Sequence, residues 1–201
     1  MKTKIAVFVS GGGTNLQALI DAEAAGQIPS GEIALVIASN SRAYALERAA
    51  KAGIPSAVVS AKTEGSQAAA EAKMNLLLAD AGVKLIVLAG YMSILSEDFT
   101  AKWDKHILNI HPSLIPAFCG KGYYGLRVHE EALRRGVKVT GATVHFVNEI
   151  PDGGEIILQQ PVEVLPGDTP EILQRRVMEQ AEWKLLPRAA EQVAKKLMEE
   201  T

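Results

Sequence analysis

The first half of the chain alternates short apolar runs with longer segments that are rich in alanine. The apolar runs are "KIAVFV" (4–9), "EIALVIA" (32–38) and "VKLIVLAG" (83–90). They lack the polar–apolar alternation of half-exposed strands, so they suit strands that are covered on both faces. The segments with a helical pattern lie near 15–25, 43–52 and 66–81. The alternation predicts an α/β fold with a doubly wound, mostly parallel sheet and flanking helices.

After the run "HILNI" (106–110) the pattern changes. A loop rich in glycine and tyrosine, "AFCGKGYYG" (117–125), leads into a helix, "VHEEALRRG" (128–136). Two strand-like runs follow at 137–147 and 153–164, and they predict a hairpin-like addition to the sheet. A long C-terminal helix opens at "GDTPE", and we expect Pro187 to end or kink it.

Composition narrows the class of protein. The 201 residues are 48% hydrophobic and can bury one substantial core, so we expect a single domain, 1–201. A net charge of −2 gives no support to a nucleic-acid or membrane partner. Cys119 is the only cysteine, and the apolar run near the N-terminus is too short for a signal peptide or a membrane span. These features predict a cytoplasmic protein.

The stretch "VSGGGTNLQALI" follows the first predicted strand and enters the first helix. Free backbone N–H groups at a helix start favour a phosphate, and Thr14 and Asn15 can add donors. Leu16 stands where a dinucleotide fingerprint needs glycine, and no Walker Gly-Lys follows, so the spacing favours a phosphomonoester over NAD or ATP. A tight turn without a ligand is the alternative.

Two polar residues lie where the predicted strand "HILNI" ends: Asn109 near its end and His111 directly after it, at the start of "HPSLIP". Strand alternation sends Asn109 and His111 to one side, and Pro112 stops the strand. Asp152 lies in "PDGG", where glycines allow a sharp turn. An amide, an imidazole and a carboxylate suit a reaction in which the substrate brings its own nucleophile. Helix capping and ordinary hairpin chemistry are the alternatives.

The other three histidines receive structural interpretations. We expect His106 at the surface or in a structural role, and His129 on a solvated helix face. His145 is either a hydrogen-bonded core histidine, the favoured interpretation, or a neighbour of the site. No ligand spacing indicates a metal.

The motifs "SGGGTNLQALI", "LAGYMSILS", "NIHPSLIP", "GATVHFV" and "DGGEIILQ", in this order, resemble the folate-dependent formyltransferases of purine synthesis. The resemblance covers nearly the whole chain. It implies transfer of a formyl group from the co-substrate 10-formyltetrahydrofolate, without a metal, to the amino group of glycinamide ribonucleotide. It further implies that Asn109 donates to the developing oxyanion, that His111 is its electrostatic partner and proton donor, and that Asp152 holds His111.

The resemblance also assigns binding residues. The phosphate and ribose of the ribonucleotide would be bound by Gly13, Thr14, Asn15, Gly90 and Glu182. The folate would lie against Met92, Ser93, Ile94, Leu95, Val147 and Asp152. Residues 1–105 would then form a phosphate-binding half, and residues 106–201 a catalytic and folate-binding half.

The chain departs from its relatives at several positions. The 117–125 loop is longer and is either a lid or an ordinary surface loop. Ser93 replaces a frequent arginine and Trp183 a usual histidine, and "VMEQAEW" carries one extra residue, which weakens the assignment of Glu182.

Rival functions remain within and outside this family. A formyltetrahydrofolate hydrolase would carry an added regulatory domain, and methionyl-tRNA formyltransferase an added nucleic-acid-binding domain; we expect neither here. A non-catalytic nucleotide-phosphate sensor would need only the glycine loop. The protein is expected to be a monomer or a homodimer.

Overall fold

The computed structural model describes residues 1–200, and its strands form one seven-stranded sheet. The strands are β1 (Thr3–Val9), β2 (Gly31–Ala38), β3 (Ser56–Val58), β4 (Leu85–Leu88), β5 (Ile107–His111), β6 (Val139–Phe146) and β7 (Ile156–Glu163). Their order across the sheet is β3-β2-β1-β4-β5-β6-β7. Neighbouring strands from β3 to β5 are parallel, while β6 and β7 continue the sheet in antiparallel pairing. The predicted mostly parallel sheet with a hairpin-like addition is confirmed.

Helices flank this sheet. They are α1 (Thr14–Ala24), α2 (Ala45–Lys51), α3 (Ala61–Glu64), α4 (Gln67–Asp80), α5 (Glu97–Lys102), α6 (Leu126–Arg135), α7 (Pro170–Val177) and α8 (Trp183–Glu199). A π-helical turn, Met178–Glu182, joins α7 to α8. None of the helices in residues 1–200 combines the length and the apolar character that crossing a membrane requires.

Of the two outcomes predicted for Pro187, an end or a kink of the C-terminal helix, the first is wrong, because α8 continues past it to Glu199. A proline inside a helix removes one backbone hydrogen bond. Pro187 and its neighbour Leu186 are buried on the face that packs against the sheet. Packing of an apolar face contributes most of a helix's stability in a folded protein, so it outweighs the lost hydrogen bond.

The core has two layers, one on each face of the sheet. Along β1, Ile5 and Val7 belong to the layer covered by α1, α2 and α6 to α8, whereas Ala6 and Phe8 belong to the layer covered by α4 and α5. All four side chains are fully buried. The absence of alternation in the apolar runs follows from this burial on both faces.

The sheet order changes direction between β1 and β4. Crevices at such switch points, outside the carboxyl ends of parallel strands, are the usual ligand sites of doubly wound folds. The glycine loop follows β1, Gly90 follows β4, and His111 ends β5, so the candidate residues meet along one edge.

Candidate active site

Asn109 and His111 lie on β5, and the register with β6 decides what they face. Asn109 is opposite His145, and His111 is opposite Thr143. The Asn109 amide nitrogen lies 3.1 Å from Nε2 of His145, whose Nδ1 lies 2.8 Å from the carbonyl oxygen of Phe146. A ring nitrogen that faces a carbonyl carries the proton, so Nε2 of His145 accepts from the amide.

His145 is therefore more than a core histidine. Its burial and its bond to Phe146 fit the interpretation that the sequence favoured, but it also touches Asn109 and lies 3.5 Å from Asp152. The alternation of β6 shows only that His145 shares a side with Thr143. The cross-strand register, which placed it opposite Asn109, could not be read from the sequence.

Asp152 reaches the end of β5 from the turn between β6 and β7. Its φ of 56° is left-handed, a conformation that aspartate tolerates better than most residues. A Cβ atom at Gly154 would lie 1.8 Å from the carbonyl oxygen of Phe146, so the glycine allows a close backbone approach. The Asp152 carboxylate lies 3.4 Å from the amide nitrogen of Asn109 and 3.4 Å from Nδ1 of His111. The three predicted catalytic residues are thus brought together.

The long loop at 117–125 supplies two backbone groups to this cluster. The N–H of Gly120 donates to Asp152 Oδ2 at 2.8 Å. The carbonyl oxygen of Phe118 lies 2.8 Å from Nε2 of His111. The first part of the loop is therefore integral to the site rather than a free surface loop.

The electrostatics of the cluster keep the carboxylate ionised. Burial alone would raise the pKa of Asp152, but His145, His111 and the Gly120 N–H together hold it below its usual value. Burial lowers the pKa of His111, against the opposing effects of Asp152 and the Phe118 carbonyl. At neutral pH the pair is therefore an ionised carboxylate beside a neutral imidazole, with the imidazole proton on Nε2.

Two side chains of nucleophilic types, Ser113 and Cys119, lie near the cluster, and neither is activated. The Ser113 side chain is fully buried and donates to the carbonyl oxygen of Ala117. Burial and the charge of Asp152 raise the pKa of the Cys119 thiol, which disfavours the thiolate. The geometry therefore favours a nucleophile that belongs to a substrate.

At the start of α1, Gly13 has a left-handed φ of 71°. A Cβ atom there would lie 2.6 Å from the Cβ of Ala45, so α2 packs too closely for a side chain. The loop has a local cation that the sequence pattern did not reveal: Arg48 of α2 donates through Nε to the carbonyl oxygen of Gly12 at 2.8 Å. Thr14 is half-buried at the first position of α1.

The side chain of Asn15 contacts Glu182, which is far from it in the sequence. The Asn15 side chain is buried, and its amide nitrogen donates to Glu182 Oε2 at 2.7 Å. The amide nitrogen carries two N–H groups, of which Glu182 engages one, so the role of Asn15 as an added side-chain donor stays a prediction. Burial raises the pKa of Glu182, and the bond from Asn15 partly offsets this rise. Glu182 nevertheless lies beside the glycine loop, in spite of the extra residue that precedes it.

The predicted folate segment lies on the other side of the switch point. Gly90 is exposed and has a left-handed φ of 74°. The side chains of Met92 and Ile94 are 55% and 74% exposed, although both are large and apolar. Leu95 and Val147 instead pack against the core layer under α4 and α5, and Ser93 is exposed. The segment thus presents apolar surface beside the site.

The expectation for His129 is wrong. Instead of lying on a solvated face, its side chain is completely buried on the inner face of α6. Burial lowers its pKa to about 4, and neither ring nitrogen has a hydrogen-bond partner within residues 1–200. His106 is half-buried, with Nδ1 2.7 Å from the carbonyl oxygen of Lys84, in agreement with a structural role.

Among residues 1–200, no group of three or more His, Cys, Asp or Glu side chains could hold a metal ion.

A doubly wound sheet with a glycine loop at its switch point and an amide, two imidazoles and a carboxylate nearby defines an α/β group-transfer enzyme. Residues 3–190 match the family model described as formyl transferase. The chain belongs to the formyl transferase family.

Named relatives and solved structures agree with this assignment. The chain is 45% identical over 184 residues to the phosphoribosylglycinamide formyltransferase of Haemophilus influenzae. The matched region covers 92% of this chain and 84% of that protein. It is 43% identical to the human trifunctional purine biosynthetic protein adenosine-3, covering 96% of the chain but only 18% of that protein. The chain thus spans about a fifth of the length of the trifunctional relatives.

The glycinamide ribonucleotide transformylase 1 structure from Symbiobacterium toebii superposes with a TM-score of 0.89 at 42% identity, over 97% of this chain and 89% of that one. The corresponding structure from Geobacillus kaustophilus gives a TM-score of 0.88 at 37% identity, over 96% and 100% of the two chains.

Proposed function

We propose that the protein transfers the formyl group of 10-formyltetrahydrofolate to the amino group of 5-phosphoribosylglycinamide, a step in purine synthesis. The observation that carries the proposal is the convergence of Asn109, His111 and Asp152 at the switch-point edge without an activated nucleophile. The names of its relatives support the same substrates.

The chemistry follows from this arrangement. The amine nitrogen of the ribonucleotide attacks the formyl carbon, and the bond from that carbon to N10 of the folate breaks. The oxygen that becomes negatively charged needs a donor, and the Asn109 amide supplies it. Because this amide nitrogen contacts His145 at 3.1 Å and Asp152 at 3.4 Å, substrate oxygen would replace the longer of these contacts. One such donor is worth about 2.7–4 kcal/mol in known enzymes.

The proton released by the amine has a path within the cluster. Nδ1 of His111 has no proton at neutral pH and faces Asp152, so a proton that arrives there is stabilised by the carboxylate. Asp152 is the more exposed of the two, with 14% of its side chain accessible against 5% for His111. We assign Asp152 to holding His111 once Nδ1 is protonated and to passing protons through water, and the protonated His111 to donating a proton to the leaving nitrogen.

The glycine loop is the proposed phosphate site. The backbone N–H groups of Gly13, Thr14 and Asn15 lie at the start of α1, and the Arg48 guanidinium lies next to the same loop. Because Glu182 engages one N–H of the Asn15 amide, Asn15 would contribute its backbone N–H and the second N–H of the amide. Glu182 would accept from the ribose hydroxyls, and Gly90 would border the nucleotide.

The proposed folate site is formed by residues 92–95, Val147 and Asp152. Exposed Met92 and Ile94 side chains suit a flat ring, and backbone groups would bind its polar edge, so Ser93 can stand where relatives carry arginine. We further propose a cytoplasmic location, no nucleic-acid or membrane partner, and a monomer or homodimer.

The decisive experiment follows folate deformylation by absorbance in purified protein, with and without the ribonucleotide. Turnover only with the ribonucleotide supports the proposal. Folate release without it would indicate a hydrolase, and no turnover in either case would indicate a nucleotide-phosphate sensor. His111→Ala is the matched variant: it should abolish transfer, whereas a sensor would keep its nucleotide binding and its function.

A further inference from the structure

The segment from Met92 to Ser96, hereafter the 92–96 segment, combines exposed apolar side chains with a fixed backbone. Met92 and Ile94 project outward, as described above, while Leu95 packs inward against the core layer under α4 and α5. The segment is not part of a helix or strand. Side-chain contacts from outside the segment must therefore fix its conformation.

One end of the segment is held by Glu71 of α4, whose side chain is almost entirely buried. Glu71 accepts from the backbone N–H of Ser96 at 2.8 Å, from the Ser96 hydroxyl, and from the amide nitrogen of Gln67 at 3.0 Å. The same Gln67 nitrogen donates to the carbonyl oxygen of Ile94 at 3.0 Å. All these donors are uncharged.

The other end is held by Ser10, the last residue before the glycine loop. Its hydroxyl oxygen accepts from the backbone N–H of Met92 at 2.8 Å and from the Ser39 hydroxyl at 2.7 Å. Ser10 thus links the ends of β1 and β2 to the segment that follows β4, across the switch point of the sheet.

We propose that Glu71 and Ser10 are positioning residues that hold the 92–96 segment in the shape that binds the formyl donor. The inference rests on the proposed function and adds two residues that do not touch the donor. A buried carboxylate without a cationic partner is unfavourable, so a purely structural helix position would suit an apolar residue better. A segment fixed before binding avoids the loss of loop entropy when the ligand binds.

Steady-state kinetics of Glu71→Ala and Glu71→Gln test the first residue. We expect Glu71→Ala to raise the KM for 10-formyltetrahydrofolate about fivefold to tenfold, because two hydrogen bonds to Ser96 of the segment are lost, and with them the bond that orients Gln67 toward Ile94. The KM for the ribonucleotide should stay unchanged. Glu71→Gln keeps the shape and one acceptor oxygen, so it should restore most of the donor KM. Glu97→Ala, an exposed position at the start of α5, is the control.

Ser10→Ala tests the other end, with Ser39→Ala as its matched control. Both variants remove one partner of the Ser10–Ser39 hydroxyl contact, but only Ser10→Ala leaves the Met92 N–H without its acceptor. We expect the donor KM to rise about fivefold in Ser10→Ala and to stay near the original value in Ser39→Ala.

Calorimetric titration with tetrahydrofolate, under anaerobic conditions, separates this inference from the proposed function. Weaker tetrahydrofolate binding in Glu71→Ala and Ser10→Ala, with restoration in Glu71→Gln, supports the inference even where turnover is too slow to measure. Unchanged donor KM and tetrahydrofolate affinity, or equal changes in both substrates' KM values, overturn it while leaving the proposed function intact. If the unaltered protein neither transfers formyl nor binds tetrahydrofolate, both proposals fail.

Discussion

At the scale of the residue, His111 shows how two neighbours set the state of one imidazole. The Phe118 carbonyl fixes a proton on Nε2, and the Asp152 carboxylate leaves Nδ1 as the place where a second proton is stabilised. No sequence pattern links either neighbour to His111. Phe118 lies in the 117–125 loop, whose sequence suits a lid or a surface loop, and Asp152 lies in a motif that is also common in hairpins.

Asp152→Asn keeps the size of the side chain and removes its charge. We expect kcat for formyl transfer to fall about 10²–10⁴-fold, because a proton on His111 loses its stabilising partner. Tm should change little. The measurement is steady-state transfer with both substrates, and Asp104→Asn, at an exposed position, is the control. An effect on KM alone would contradict the assigned role.

His129 is the residue for which sequence and structure disagree most. The charged residues of its helix, "LRVHEEALRR", favour a solvated face, yet His129 lies with Val128 and Ala132 on the buried face. A charged neighbour in the sequence therefore says little about which face of a short helix is covered.

Burial of neutral His129 makes the fold sensitive to acid. Its pKa is about 4 in the folded protein against an ordinary value of 6.5, so between these values the unfolded chain binds more protons. Stability should therefore be lost as the pH falls from 6.5 to 4, by about 3 kcal/mol.

Urea unfolding of the unaltered protein and of His129→Leu, at pH 7 and pH 4, measures this effect. We expect the loss between the two pH values to be smaller in His129→Leu. His106→Gln, at a half-buried position, is the control and should keep the full loss. Equal losses in all three proteins would show that His129 does not bind protons differently in the folded state.

At the scale of the element, the π-helical turn explains how the chain accommodates an extra residue. Leu173, Val177, Ala181 and Leu185 are all buried, at constant intervals of four. On a straight α-helix this spacing would rotate the last side chain by about 120° away from the first. The wider π turn absorbs this rotation, so that α7 and α8 both face the sheet and Glu182 reaches Asn15.

Deleting Gln180, an exposed residue of the turn, tests this interpretation. The shortened segment has the spacing of a continuous α-helix, so we expect a folded protein whose Tm is not lowered. The KM for the ribonucleotide should also be unchanged, because Glu182 keeps its position. Deletion of exposed Lys195, within α8, is the control and should lower the Tm. A large loss of Tm in the Gln180 deletion would contradict the interpretation.

Elements differ in how well the sequence predicts them. The apolar pattern predicts the long strands and the helices α1, α4 and α6, because it extends over several helical turns or over a whole strand. β3, α3 and α5 have three to six residues each, too few for a period to be recognised. β3 is held by pairing with β2, whereas the side chains of Ser60 and Ser96 cap α3 and α5 locally.

At the scale of the whole molecule, α8 joins the two halves of the chain, residues 1–105 and 106–201. It packs against β1, β2 and β4 of the first half and against β6 and β7 of the second. Side-chain contacts made by α8 and the π turn cross the same boundary: Thr3 to the Ala194 carbonyl, Ser30 to Glu191, and Asn15 to Glu182. We therefore expect the halves to unfold together.

The two tryptophans provide the test, since Trp103 lies in the first half and Trp183 in the second. In Trp183→Phe the remaining fluorescence reports on the first half, and in Trp103→Phe it reports on the start of α8 where it faces α1. Within each variant, we expect the fluorescence midpoint in urea to coincide with the midpoint from far-UV circular dichroism, as in two-state unfolding. Separate midpoints would indicate two independent units.

The sequence by itself determined the mostly parallel sheet, the glycine loop at the start of α1 and the pairing of Asn109 with His111 on one strand face. These features depend on local rules: apolar periodicity, the conformational freedom of glycine and the alternation of a strand. Only the tertiary structure decided that His145 faces Asn109 and that Arg48 lies beside the glycine loop. These contacts depend on strand register and helix packing, which bring together residues far apart in the chain and leave no periodic trace in it.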